Sequence, residues 1–210
     1  MCIRDSIYLK AAWAEPFDSA LSTSAPFHSA TGSVLVPTMH STGELEYGSG
    51  PNWEAVELPY AGGSLVMRIL LPSRGQAVQQ MLSPAILRAA AHLRPAQVDL
   101  ALPRWDFATN LDLTAALEQL GMRTAFSGAA DFTRIAPGLF VNSAIHRANI
   151  TVDEKGTTAA AVTAFGLATG AQVLPHVVLH LDRPFAFEVL HLDTGIPLFV
   201  GSVDQPTRHQ

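Results

Sequence analysis

An α+β architecture of mixed and antiparallel sheets with a few helices follows from three features of the chain. Short apolar runs, most of them β-branched or aromatic, are punctuated by turn-forming residues. Helical spacing occurs in only two segments. Strands precede, separate and follow those segments without the βαβ alternation that builds a parallel sheet.

In order, residues 7–13, 33–39, 53–60 and 65–71 read as strands. Residues 77–93 then take helical spacing, interrupted by Pro84, before a strand at 98–104. A second helix spans 110–120, where Leu113, Leu117 and Leu120 recur at i, i+4 and i+7 and Gly121 stops the run. Strands at 140–152, 173–181, 185–190 and 198–203 complete the chain.

With 210 residues, 48% hydrophobic and 15% charged, the chain can bury a sizeable core as one domain or a large part of one. A net charge of -5 argues against a general binder of nucleic acid or anionic membrane, which needs a concentrated cationic surface. Cys2 is the single cysteine, so neither an internal disulfide nor a cysteine-built metal site forms. No run approaches the roughly 20 apolar residues of a membrane-spanning helix. The G-x-S-x-G elbow, H-E-x-x-H pair, P-loop and dinucleotide fingerprints are all lacking, and no cofactor is expected.

The most informative segment is Val152-Asp153-Glu154-Lys155-Gly156-Thr157-Thr158-Ala159-Ala160-Ala161, a strand ending in acid, a glycine hinge and then small residues. From Thr157 to Gly170 there is no charge and no proline, so every residue can join a strand ladder. At a period of two, Thr157, Ala159, Ala161, Thr163, Phe165 and Leu167 share one face, which can enter a core. Gly156 supplies the backbone freedom for turning such a segment into a sheet.

This hinge resembles that of the serpins, protease inhibitors that trap their target by inserting a cleaved loop into a β-sheet. The resemblance runs in order from Ile7 to Pro206: Ile7-Tyr8-Leu9-Lys10-Ala11-Ala12-Trp13, Val56-Glu57-Leu58-Pro59-Tyr60, Ile69-Leu70-Leu71-Pro72 and Leu102-Pro103-Arg104. Leu120-Gly121-Met122, Ala130-Asp131-Phe132, Ile145-His146-Arg147-Ala148, Asp182-Arg183-Pro184-Phe185 and Phe199-Val200-Gly201-Ser202-Val203 continue it. It implies the C-terminal half of a serpin fold, truncated at its N-terminus. Residues 1–6 are set apart as a non-family leader or gene-model artefact, 7–207 as the serpin part with a reactive-centre loop at about 156–175, and 208–210 as a tail.

The resemblance further implies an inhibitor and not an enzyme, acting as a suicide substrate of a serine protease, with cysteine proteases as secondary targets. Counting from Glu154 puts the scissile bond between Gly170 and Ala171, with bonds after Leu167, Ala168 or Thr169 as alternatives. Between Gly156 and Arg183 there is no Arg or Lys, which points to an elastase-like or subtilisin-like target and away from a trypsin-like one. The intact parent is expected to be monomeric and extracellular or periplasmic. Trp13, Arg104 and Glu154 match the family's breach, with Arg104 and Glu154 as an ion pair. The bland alternative for that pair is two surface charges that never meet. His146 matches the shutter histidine, a role close to that of a satisfied core histidine, and its usual asparagine partner falls at Asp5.

Two other readings stand beside this one. A noninhibitory serpin, a binding or chaperone protein, would have charge or proline in the hinge; a nonfunctional fragment is the remaining form of that alternative. His176 and His180 lie i, i+4 on one strand face, close enough to share a metal, but a third ligand is lacking and a solvated face is the plainer account. Asp131 and Glu118 read as surface or capping carboxylates.

Overall fold

The computed structural model describes residues 1–7, 9–157 and 174–206. It divides into two compact units, Met1–Leu9 with Phe107–Ile150, and Lys10–Asp106 with Thr151–Gln210. In chain order the strands are β1 (Cys2–Ile7), β2 (Ala11–Ala12), β3 (Thr23–Ser29), β4 (Gly32–Gly50), β5 (Trp53–Pro59) and β6 (Leu65–Pro72). After helix α1 (Pro84–Ala89) come β7 (Arg94–Pro103) and β8 (Trp105–Asp112), then helix α2 (Thr114–Gln119). The last strands are β9 (Ser143–Asp153), β10 (Gly156–Thr157), β11 (His176–His180), β12 (Phe185–His191) and β13 (Ile196–Val203).

In the first unit β1 lies parallel to β9, with register from Cys2 opposite Ser143 to Ile7 opposite Ala148. Residues 2–6 of the segment set apart as a leader therefore belong to a strand, and the strand expected over 7–13 is two strands, β1 and β2. The helix expected over 110–120 begins only at Thr114. The Leu113 amide donates to the Ala144 carbonyl at 2.8 Å and the Thr114 hydroxyl accepts from the Ala144 amide at 3.1 Å, so sheet pairing prevails over helical spacing up to that point.

The second unit is built on an eight-stranded sheet of order β11-β7-β4-β5-β6-β12-β13, with β3 paired to β4. The run expected at 33–39 belongs to the 19-residue β4, which pairs with β7 over 38–47 and with β5 over 46–50. Pro84 divides the helix expected over 77–93 into a 3-10 turn, Val78–Leu82, and α1, where proline sits in the first turn and its missing N–H costs nothing. Val78, Met81 and Ala90 from this segment close a core with Trp53, Ala55, Leu70 and Ala186.

Across the middle of the sheet Arg68 bridges two acids, donating from Nε to Glu57 at 2.8 Å and from Nη1 to Glu188 at 2.7 Å. Arg68 and Glu188 are both buried. Burial pushes the Glu188 carboxyl up despite the opposing charge of Arg68.

Candidate functional site

The second unit brings together Trp13, Arg104, Glu154, Gly156 and Thr157. β9 ends at Asp153, and the chain turns through Glu154 and Lys155, with the Asp153 carboxylate accepting from the Lys155 amide at 2.8 Å. β10 then lies antiparallel to two strands at once, pairing Gly156 with Asp153 and Thr157 with Val152 on one side, and Gly156 with Ala12 and Thr157 with Ala11 on the other.

Glycine is required at 156 for two reasons. Its φ is +135°, and a Cβ there would lie 2.3 Å from the Ala11 carbonyl oxygen and 2.7 Å from the Ala12 Cα, both backbone atoms.

Trp13 is 1% exposed and donates from Nε1 to the Asp153 carbonyl at 2.9 Å. Its amide donates to the Lys155 carbonyl at 3.0 Å, and the Phe17 amide donates to the Glu154 carbonyl at 2.9 Å. Trp13 and Phe17, both just after β2, thus hold the turn from Asp153 to Lys155.

Arg104 and Glu154 form the ion pair expected of them, through Nη2 and Oε1. Glu154 is 7% exposed, so this is not the surface encounter of two mobile charges. The Ser22 hydroxyl donates to the same carboxylate. Burial alone would push the Glu154 carboxyl up; the hydrogen bonds from Ser22, from its own backbone and from Arg104, together with the Arg104 charge, outweigh burial and hold it below the ordinary range.

Thr157 is 1% exposed, and its hydroxyl sits 2.7 Å from the phenol oxygen of Tyr60. Tyr60 is itself buried and stacked on Trp13 at a centroid distance of 4.6 Å. Burial pushes its phenol well above the ordinary tyrosine range.

His146 lies on β9 in the first unit, where the strand register sets it opposite Asp5. Thr158, Ala159, Ala160, Ala161, Leu167, Ala168, Thr169, Gly170 and Ala171 fall outside the described residues. His176 and His180 are exposed on β11, and His176 approaches Asp99 at 3.1 Å. Among the described residues no group of three or more His, Cys, Asp or Glu could hold a metal, and no helix is long and apolar enough to cross a membrane.

Sequence reasoning missed Ser22 and the role of Tyr60. Nothing marks Ser22 in the sequence, since it meets Glu154 across 132 residues. Tyr60 closes a strand-like run, a position that gives no sign of which residue its hydroxyl meets.

The family model for Serpin (serine protease inhibitor) matches residues 1–206. The chain belongs to the serpin family. The match takes in residues 1–6, which the sequence reading had set apart. An uncharacterised serpin-like protein of Thermococcus kodakarensis is 35% identical over 98% of this chain and 50% of its own length. A serine protease inhibitor of Cyanea capillata is 35% identical over 96% of the chain and 56% of its own length.

Among solved structures, a serpin of the trematode Schistosoma haematobium has a TM-score of 0.85 over 97% of this chain and 56% of its own, at 23% identity, a likeness of fold. Thyroxine-binding globulin in complex with thyroxine has a TM-score of 0.82 at 30% identity, over 98% of this chain and 56% of its own. The chain therefore spans about half the length of the serpins it matches, and its mixed sheets with few helices are those of a truncated serpin fold.

Proposed function

We propose that residues 1–206 are the C-terminal part of a longer serpin, and that the intact protein inhibits serine proteases as a suicide substrate. The observation that carries this reading is the arrangement of Gly156 and Thr157. These first residues of the hinge already run as a strand between the end of β9 and β2, and the residues that follow them to Gly170 in sequence carry no charge or proline.

The chemistry belongs to the target. Its serine oxygen bonds to the carbonyl carbon at the scissile position, at Gly170 or a neighbouring residue. The peptide C–N bond breaks, the serine proton passes through the target's own base to the departing amine, and an ester links the two proteins. The freed segment then extends the strand begun at β10. Fourteen residues reach roughly 46 Å as a strand. About ten net hydrogen bonds at roughly 0.5–1.5 kcal/mol each contribute on the order of 10 kcal/mol, enough to drag and distort an attached protease before deacylation. Serpin loop insertion is a recognised example of this kind of switch.

An elastase-like or subtilisin-like target fits the uncharged segment, and a location outside the cell or in the periplasm fits such a target. Incubating the full-length protein with pancreatic elastase or subtilisin is expected to yield a covalent complex that survives denaturing electrophoresis. Cleaved protein without complex across a protease panel defeats the reading.

A second reading draws on the likeness to thyroxine-binding globulin, a protein of the same fold that binds a small ligand. On that reading the chain serves as a binding protein, and cutting the loop leaves the melting temperature unchanged.

A further inference from the structure

We propose that the Tyr60 hydroxyl is a latch that holds Thr157 docked between β9 and β2 before the loop is cut, so that Tyr60 is a positioning residue for loop insertion.

Gly156 and Thr157 are the residues of β10 that the structure describes, and they pair with β9 on one side and β2 on the other. Thr157 buries its hydroxyl, and the one partner that hydroxyl has among the described residues is the Tyr60 phenol at 2.7 Å. The phenol is fixed from three directions. Its ring stacks on Trp13 with the planes 15° apart. The Tyr60 amide donates to the Leu65 carbonyl at 3.0 Å, and the next amide, that of Ala61, donates to the Ala12 carbonyl at 2.8 Å.

A rigid donor and acceptor aimed at the first residue of the uncharged run makes docking of that residue depend on one hydroxyl pair. Losing either hydroxyl removes the bond and strands the other in a buried place, which shifts a docking equilibrium by about tenfold; losing both removes the bond but strands nothing, so the two losses do not add.

Insertion elongates from whatever is already paired. A docked β10 means that cleavage finds the ladder started, and an undocked one means that the start must form while the ester is exposed to hydrolysis. The latch thus sets how many loops are trapped for each one wasted. This step rests on the inhibitory reading above, whereas the docking itself does not.

The experiment uses the full-length protein and three variants, Tyr60→Phe, Thr157→Val and the two combined. With elastase, each single variant is expected to raise the ratio of cleaved to complexed protein about fivefold or more, and the double variant to raise it by no more than the larger single effect. The rate of first cleavage should stay unchanged in all four. Singles that match wild type, or a double variant that sums their losses, overturn the latch.

Amide exchange at Gly156 and Thr157, measured without protease, separates the two ideas. Exchange about tenfold faster in Tyr60→Phe, with β5 and β6 unchanged, is the expected result; equal exchange overturns the latch whether or not the wild type forms a complex. Thr157→Val gives the same measurement should Tyr60→Phe not fold.

Discussion

Strand β9 has different partners at its two ends. From Ser143 to Ala148 it lies directly against β1, in parallel and in continuous register. At Val152 and Asp153 it pairs with β10, the first residues of the hinge folded back on it. The first arrangement is an uninterrupted backbone ladder. The second has side chains securing the turn and the start of β10: Trp13 on the turn, Arg104 and Ser22 on Glu154, Tyr60 on Thr157. The backbone holds one end and individual side chains hold the other, so single substitutions should act far more strongly on the hinge end.

The largest effect is expected from Thr157→Arg. The position is 1% exposed and faces the Tyr60 hydroxyl, so a guanidinium there would be stripped of water in a place that fits a small side chain and must leave, taking β10 with it. In the full-length protein the variant should be cut at the loop as a plain substrate, with complex on a denaturing gel falling to a trace. Wild-type yield of complex from this variant would mean that the strand segment at Thr157 is not where insertion begins.

Gly156→Ala should come next. The added carbon would meet the backbone of Ala11, Ala12 and Trp13, none of which can swing aside, and φ of +135° strains any residue with a Cβ. A loss of about 1–3 kcal/mol is expected in the uncut protein, with complex yield reduced several-fold. Chemical denaturation measures the first and titration of elastase the second. A variant of unchanged stability would show that β10 can pair with β9 without touching β2.

These expectations also mark what could be seen in the sequence. The glycine turn at 156 was legible because its message is local: an acid, a glycine and then small residues can be read residue by residue. The Arg104–Glu154 pair was legible only through the family's ordered motifs, since 50 residues separate its members. Ser22 and the Tyr60–Thr157 contact were illegible, because they depend on how β2, β5 and β10 converge. Element boundaries failed where long-range pairing won over local pattern. Leucine spacing from Leu113 to Leu120 fits a longer helix than α2, yet β8 keeps the chain extended as far as Asp112. Likewise β3 and most of β4 carry too few apolar residues in alternation to be read as strands, but each completes its neighbour's ladder.

The smallest effect concerns the acid at the turn. Glu154 is held below its ordinary value of 4.5 because hydrogen bonds and the Arg104 charge outweigh burial. A carboxyl with a lowered folded-state value contributes stability that is fully present above its unfolded value and is lost as the pH falls through the folded one. Compared with Glu154→Gln, the wild-type protein should therefore be more stable near neutral pH, with the advantage shrinking as the pH falls below about 4.5. Melting curves of both proteins across that range test it. A difference that stays constant with pH would mean that the charge of Glu154 adds nothing to the hinge end of β9, leaving Trp13, Gly156 and the Tyr60–Thr157 pair to hold β10 unaided.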